Sequence, residues 1–223
     1  MLLVSSIILA TVSALPLRLN LQKGDQFDFL LTVNRHSPEE TGTLTEHVVI
    51  AKVQGDTITM NITLTRLSIN GVDRTSDLKK AVQNQVIAMP WTTQAMRTGS
   101  MTPLAIAQNS PKDVLAMLAE GGLYLCQFPK GPVTVGQSYS GATTATGGCT
   151  NGQYTVREIM PGRVRFEITK IAMRNCTQVS PLEMWVSTTT GLPTIMRYSA
   201  RGNKSGRLYE FEQKLANFRS AKP

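Results

Sequence analysis

Nucleophiles, histidines and paired carboxylates come first, because they are the residues whose spacing could do chemistry. Ser76-Asp77-Leu78-Lys79 matches the S-x-x-K pattern, in which a serine nucleophile sits beside a lysine. Lys204-Ser205-Gly206 resembles the K-T-G element that lines such sites, but it also reads as a hairpin turn. Ser68-Ile69-Asn70 precedes Ser76, the wrong order for the middle element of that family, and a chain this rich in Ser and Lys produces one S-x-x-K match by chance. Gly136-Gln137-Ser138-Tyr139-Ser140-Gly141 is one residue too long for a nucleophile elbow and lies in a strand pattern. The two histidines, His36 and His47, are too few for a structural zinc site, which wants about four Cys or His ligands at close spacing. Cys126 lies among apolar residues in LYLCQF, which disfavours the thiolate a nucleophile needs. No glycine-rich phosphate cradle is present. Glycoside hydrolysis uses two carboxylates. Glu158 and Glu167 fall on adjacent predicted strands, and Glu210 and Glu212 on one strand face, an arrangement that solvated strands also produce. These residues imply no cofactor and no metal, and they favour a non-enzymatic protein.

Charge is more informative. Up to Asp113 there are 10 basic and 9 acidic residues; from Val114 onward there are 13 and 6. The excess collects on one predicted hairpin carrying Arg157, Arg163, Arg165, Lys170 and Arg174. Arg163 and Arg165 alternate with Val164 and Phe166, so they share the outer face. A basic face attracts anionic partners over long range. An anionic envelope polymer, lipid headgroups or an acidic protein fit it. Nucleic acid does not, because the chain reads as secreted and its aromatics alternate into a core.

That address rests on the first residues. MLLVSSIILATVSA carries about 13 uncharged, mostly apolar positions, too few to span a membrane as a helix. Small residues at Val12 and Ala14 suit a cleavage site, so residues 1–14 read as a signal peptide, although the usual positive start is missing. The mature chain then begins near Leu15, contains no transmembrane segment, and resides in the periplasm or outside the cell. Cys149 and Cys176 fall at the open end of the hairpin turning at Pro161-Gly162, where an oxidising compartment permits a disulfide between them. Cys126 reads as a buried, inert thiol.

The elements that must position these residues are mostly strands. Phe27, Phe29, Leu31 and Val33 alternate, as do Ile58, Met60, Ile62 and Leu64, and Val164, Phe166 and Ile168. Turn signals at Gln54-Gly55-Asp56, Asn70-Gly71, Pro161-Gly162, Thr190-Gly191 and Arg201-Gly202-Asn203 separate roughly a dozen such runs, mostly antiparallel by their short connections. Ser110, Pro111 and Asp113 start a helix that Gly121-Gly122 stops, and a shorter helical turn is expected from Ser76 to Val82. Met60, Met184 and Met196 fall in predicted strands; inside a curved sheet they would line an adaptable apolar pocket or simply fill the core. Lys23-Gly24-Asp25-Gln26-Phe27 parallels Val135-Gly136-Gln137-Ser138-Tyr139, which suggests two related halves.

Phe128-Pro129-Lys130-Gly131-Pro132-Val133-Thr134-Val135-Gly136-Gln137-Ser138-Tyr139 resembles a segment of uncharacterised secreted bacterial β-rich proteins with a Pro-Val-x-Val-Gly-x-x-aromatic element. Gly24-Asp25-Gln26-Phe27 resembles their opening element and Thr189-Thr190-Gly191-Leu192-Pro193 their late hairpin, with Tyr139 where Trp is usual. The resemblance implies an extracytoplasmic β domain of unknown function and no active site.

The expected architecture is mainly β: curved antiparallel sheets, barrel-like or half-barrel, with one covering helix. A two-sheet β-sandwich is the alternative. Residues 15–223 form a single β-rich domain whose possible halves, 15–109 and 123–223, are joined by a helix at 110–121. The expected function is non-enzymatic binding of an apolar or anionic envelope component. A structural or interaction module without a small ligand is the alternative, and a hydrolase comes third.

Overall fold

The computed structural model describes residues 14–98, 104–120, 125–145, 148–171 and 176–221, with the side chains of 120 and 143–150 left aside. In chain order these hold β1 (Gln26–Arg35), β2 (Glu40–Gln54), β3 (Thr57–Ile69), β4 (Val72–Asp73), α1 (Thr75–Val82), β5 (Val86–Thr92), α2 (Lys112–Glu120) and β6 (Leu125–Cys126). Then follow β7 (Ser138–Ala145), β8 (Gly148–Met160), β9 (Arg163–Thr169), β10 (Cys176–Gln178), β11 (Leu182–Ser187), β12 (Pro193–Gly202) and β13 (Leu208–Arg219). The signal-peptide expectation falls on residues outside the described set, apart from Ala14.

All the strands belong to one antiparallel sheet, ordered β4-β3-β2-β1-β13-β12-β11-β9-β8-β7-β6, with β5 beside β3 and β10 beside β12. Each half of the chain runs as a meander, and β1 pairs with β13 to join them. The strands alternate as their sequences demand: Phe27, Phe29, Leu31 and Val33 of β1 are buried, with partly exposed residues between them. Asn70 and Gly71, both at positive φ, form the tight β3–β4 turn, a conformation that suits hairpins and the Asn-Gly pair.

A single sheet cannot bury one face while it stays flat. Here β5 and β6 stand near opposite margins, yet Phe128 N, just past β6, donates to Gln94 O, just past β5, at 2.9 Å. The sheet therefore curls until its margins are bridged by backbone outside the strands. Among the described residues the margins do not pair as strands, so the architecture is an open, curled sheet and neither a closed barrel nor a two-sheet sandwich.

Residues 15–22 complete the curl. Leu17, Leu19 and Leu21 alternate into the core, while Leu15 pairs with Val133, Leu19 N donates to Thr93 O and Asn20 N to Thr190 O. This segment touches both margins and the β11–β12 turn. Its passage depends on Gly191, whose φ is +72° and whose position lies so close to Arg18 that an added Cβ would sit 2.1 Å from Arg18 O. Gly191→Ala is expected to cost at least ~2 kcal/mol, from left-handed strain plus that clash. The measurement is thermal unfolding, with limited proteolysis showing whether the segment at 15–22 is released first.

Among the described residues two helices lie against this frame. α1 buries Leu78, Ala81 and Val82, and Asp73 Oδ1 accepts a hydrogen bond from Thr75 N at 2.8 Å at its start. α2 buries Val114 and Met117. Arg74 pairs with Asp77 at 2.8 Å and with Asp113 of α2 at 3.3 Å, so one guanidinium ties the helices together. The short helical turn expected from Ser76 to Val82 is α1, which, though only eight residues long, has its own apolar stripe and an ion pair to its neighbour.

Candidate functional site

The basic hairpin forms as expected: β8 and β9 pair around Pro161-Gly162, with Arg163 and Arg165 on the outer face. Part of its charge is spent within the protein. Arg157 donates to Glu167 at 2.6 Å, and Arg165 reaches Glu158 at 3.3 Å and Glu183 at 3.8 Å. The Arg163 guanidinium lies 4.5 Å from the centre of the Trp185 ring and that of Arg165 5.7 Å away, both within cation–π range. Lys170 is exposed just past β9. Arg174 lies outside the described residues. The Cys149–Cys176 bridge does too, since only the Cys176 side chain, half-buried in β10, is described. Cys126 is buried, as its apolar setting implied.

Of the carboxylates considered for glycoside hydrolysis, Glu167, Glu210 and Glu212 converge, whereas Glu158 pairs with Arg165 outside their groove. A groove of about 500 Å³ on the outer face is lined by Glu167, Glu183, Glu210 and Glu212, with Arg197 and Asn34 among their neighbours. Cross-strand register brings them together: Glu212 faces Arg197, which faces Glu183, which faces Glu167. A hydrolytic general acid needs a carboxyl held protonated. Burial would raise the Glu212 carboxyl, but hydrogen bonds from Lys214 and Arg197 outweigh it and hold the group below the usual range. These glutamates are organised as partners for cations.

The raised carboxyl is on the opposite face. Glu46 occupies an inward position of β2, in the alternation Gly42, Leu44, Glu46, Val48, Ile50. Its register partners are Phe29 on β1 and Leu64 on β3, so no charged side chain flanks it across or along the strands. Burial pushes its carboxyl up to about 8, and neither oxygen has a hydrogen-bond partner. The Trp91 indole N–H, fully buried on β5, also lacks one. Native interiors pair nearly all such groups. The sequence reading passed over Glu46; the signal was there, because the strand period that buries Leu44, Val48 and Ile50 also assigns position 46 to the core.

Around these two groups the inward face is apolar and soft. Met60 stands opposite Met89 and Met184 opposite Met196, all four buried, so the three strand methionines singled out by sequence all point inward. Met117 of α2 fills the space over Gly42, where an added Cβ would lie 2.1 Å from its Sδ. This contact seats α2 four residues, or two inward positions, from Glu46 on the same face of β2.

No family model matches the chain, and no curated protein does. Among solved structures, a DUF1329 family protein from Desulfovibrio piger is similar over 91% of this chain and 88% of its own, at 11% identity and a TM-score of 0.26. No helix among the described residues is long and apolar enough to cross a membrane.

Proposed function

We propose that this chain is an extracytoplasmic, non-enzymatic binding protein that holds an apolar envelope component between its curled sheet and its helices. The observation that carries this reading is the methionine-rich inward face. Met60, Met89, Met117, Met184 and Met196 are all buried there, and methionine's unbranched, polarizable side chain repacks around guests of irregular shape. Attachment to an anionic polymer or an acidic protein is less well supported, because Arg157 and Arg165 spend their charge on Glu167, Glu158 and Glu183. Hydrolysis is less well supported again, because the groove glutamates face cations. Native mass spectrometry of protein purified from its own host tests the proposal. The expected result is added mass that disappears after delipidation. A bare polypeptide under conditions that preserve apolar complexes overturns it.

A further inference from the structure

We propose that Glu46 is the polar anchor of this interior site and that the amphiphile held there carries a neutral hydroxyl or carbonyl head. The inference rests on the binding reading above and names the class of ligand it takes. Between Gly42 and Ile50, Glu46 is the one charged residue on the inward face of β2, it is fully buried, and both its oxygens are unpartnered. A side chain left in that state holds unused hydrogen-bonding capacity at one defined point of an apolar surface. In its acid form a carboxyl both donates and accepts, which matches an alcohol or an ester carbonyl. An anionic head would have to shed its water beside a group that offers no positive charge, and an ammonium would create a buried ion pair whose two desolvation costs oppose binding. The second unpartnered group, Trp91 N–H, lies on the same face. Leu64 pairs with Glu46 and Ile58 with Trp91, so six residues of β3, about 20 Å, separate the two positions.

The chain has two tryptophans, and Trp185 is on the outer face, so a Trp185→Phe background leaves Trp91 as the sole indole reporter. The probes are a monoacylglycerol with a brominated chain, the fatty acid of the same chain at pH 7, and the corresponding alkylamine. The expected result is that the monoacylglycerol quenches Trp91 most strongly. Glu46→Leu should weaken that binding about tenfold, and Glu46→Gln, which still donates and accepts, should stay within about threefold. Glu46→Leu places an apolar residue in an apolar slot, so folding is not at issue. Undiminished monoacylglycerol quenching in Glu46→Leu overturns the anchor while leaving the binding reading intact. Equal or stronger quenching by the fatty acid or the amine overturns the neutral head. Trp91 emission unchanged by all three probes overturns the anchor and the binding reading together.

Discussion

Glu46→Leu should make the protein more stable at neutral pH and remove much of its pH dependence. In the folded chain the carboxyl keeps its proton up to about pH 8, whereas in the unfolded chain it releases it near 4.5. Between those values the native state binds more protons, so stability falls as pH rises through this window and levels off above it. The loss attributable to Glu46 is on the order of 3 kcal/mol at pH 7, or about 10 °C in Tm for a domain of this size. Scanning calorimetry of both proteins from pH 4.5 to 8.5 isolates the contribution, because every other titrating group is common to the two curves. Their difference should be small at pH 4.5 and should widen up to about pH 8. Parallel curves would mean that Glu46 finds a partner in solution.

The second large effect concerns the β1–β2 hairpin. Arg35 ends β1 with a side chain only 2% exposed, and its guanidinium lies 2.7 Å from Glu40, which opens β2. Arg207 approaches the same carboxylate at 3.6 Å and donates to Pro38 O at 2.6 Å. One carboxylate thus serves two guanidiniums at one end of the sheet. Glu40→Ala is expected to cost about 3 kcal/mol, since breaking a buried pair from one side leaves its charge without compensation. Urea unfolding measures this directly. Arg35→Met combined with Glu40→Leu should recover most of the loss, because apolar replacements of similar volume fill the site without a desolvated charge. If the double variant is no better than Glu40→Ala, the packing of Arg35 rather than its charge holds the hairpin.

These two sites also mark where sequence reading reached its limit. The strand period assigned Phe27, Phe29, Leu31 and Val33, then Ile58, Met60, Ile62 and Leu64, and Val164, Phe166 and Ile168 to the core, and all of them are buried. Pro111, Asp113 and the glycines after position 120 bracketed α2 at Lys112–Glu120. Such features depend on neighbours within a few residues. His36, Ser37, Pro38 and two glutamates follow Arg35, which is turn composition, so nothing local marks Arg35 as a buried residue. Its burial becomes intelligible only when the hairpin register sets Glu40 opposite it. The convergence of Glu167, Glu183, Glu210 and Glu212 required the order of four strands, of which only the hairpins were legible. The bond from Phe128 to Gln94 that marks the curl carries no local signal, because it depends on how far the whole sheet twists.

The pairing of β1 with β13 has a kinetic consequence. Gln26 stands beside Arg219, and Val33 beside Phe211. One edge of β1 can be satisfied by β2 as soon as their hairpin closes, but the other waits for a segment near the far end of the chain. Until then it presents unpaired amide and carbonyl groups along a strand rich in Phe, Leu and Val, the kind of edge that recruits other chains. Closing so long a loop is entropically slow, and topologies dominated by non-local pairing fold slowly. The most hazardous interval in the life of this protein is therefore the wait before its two halves meet, and a chaperone that shields β1 during that interval would raise the yield of folded protein more than any added contact in the finished core.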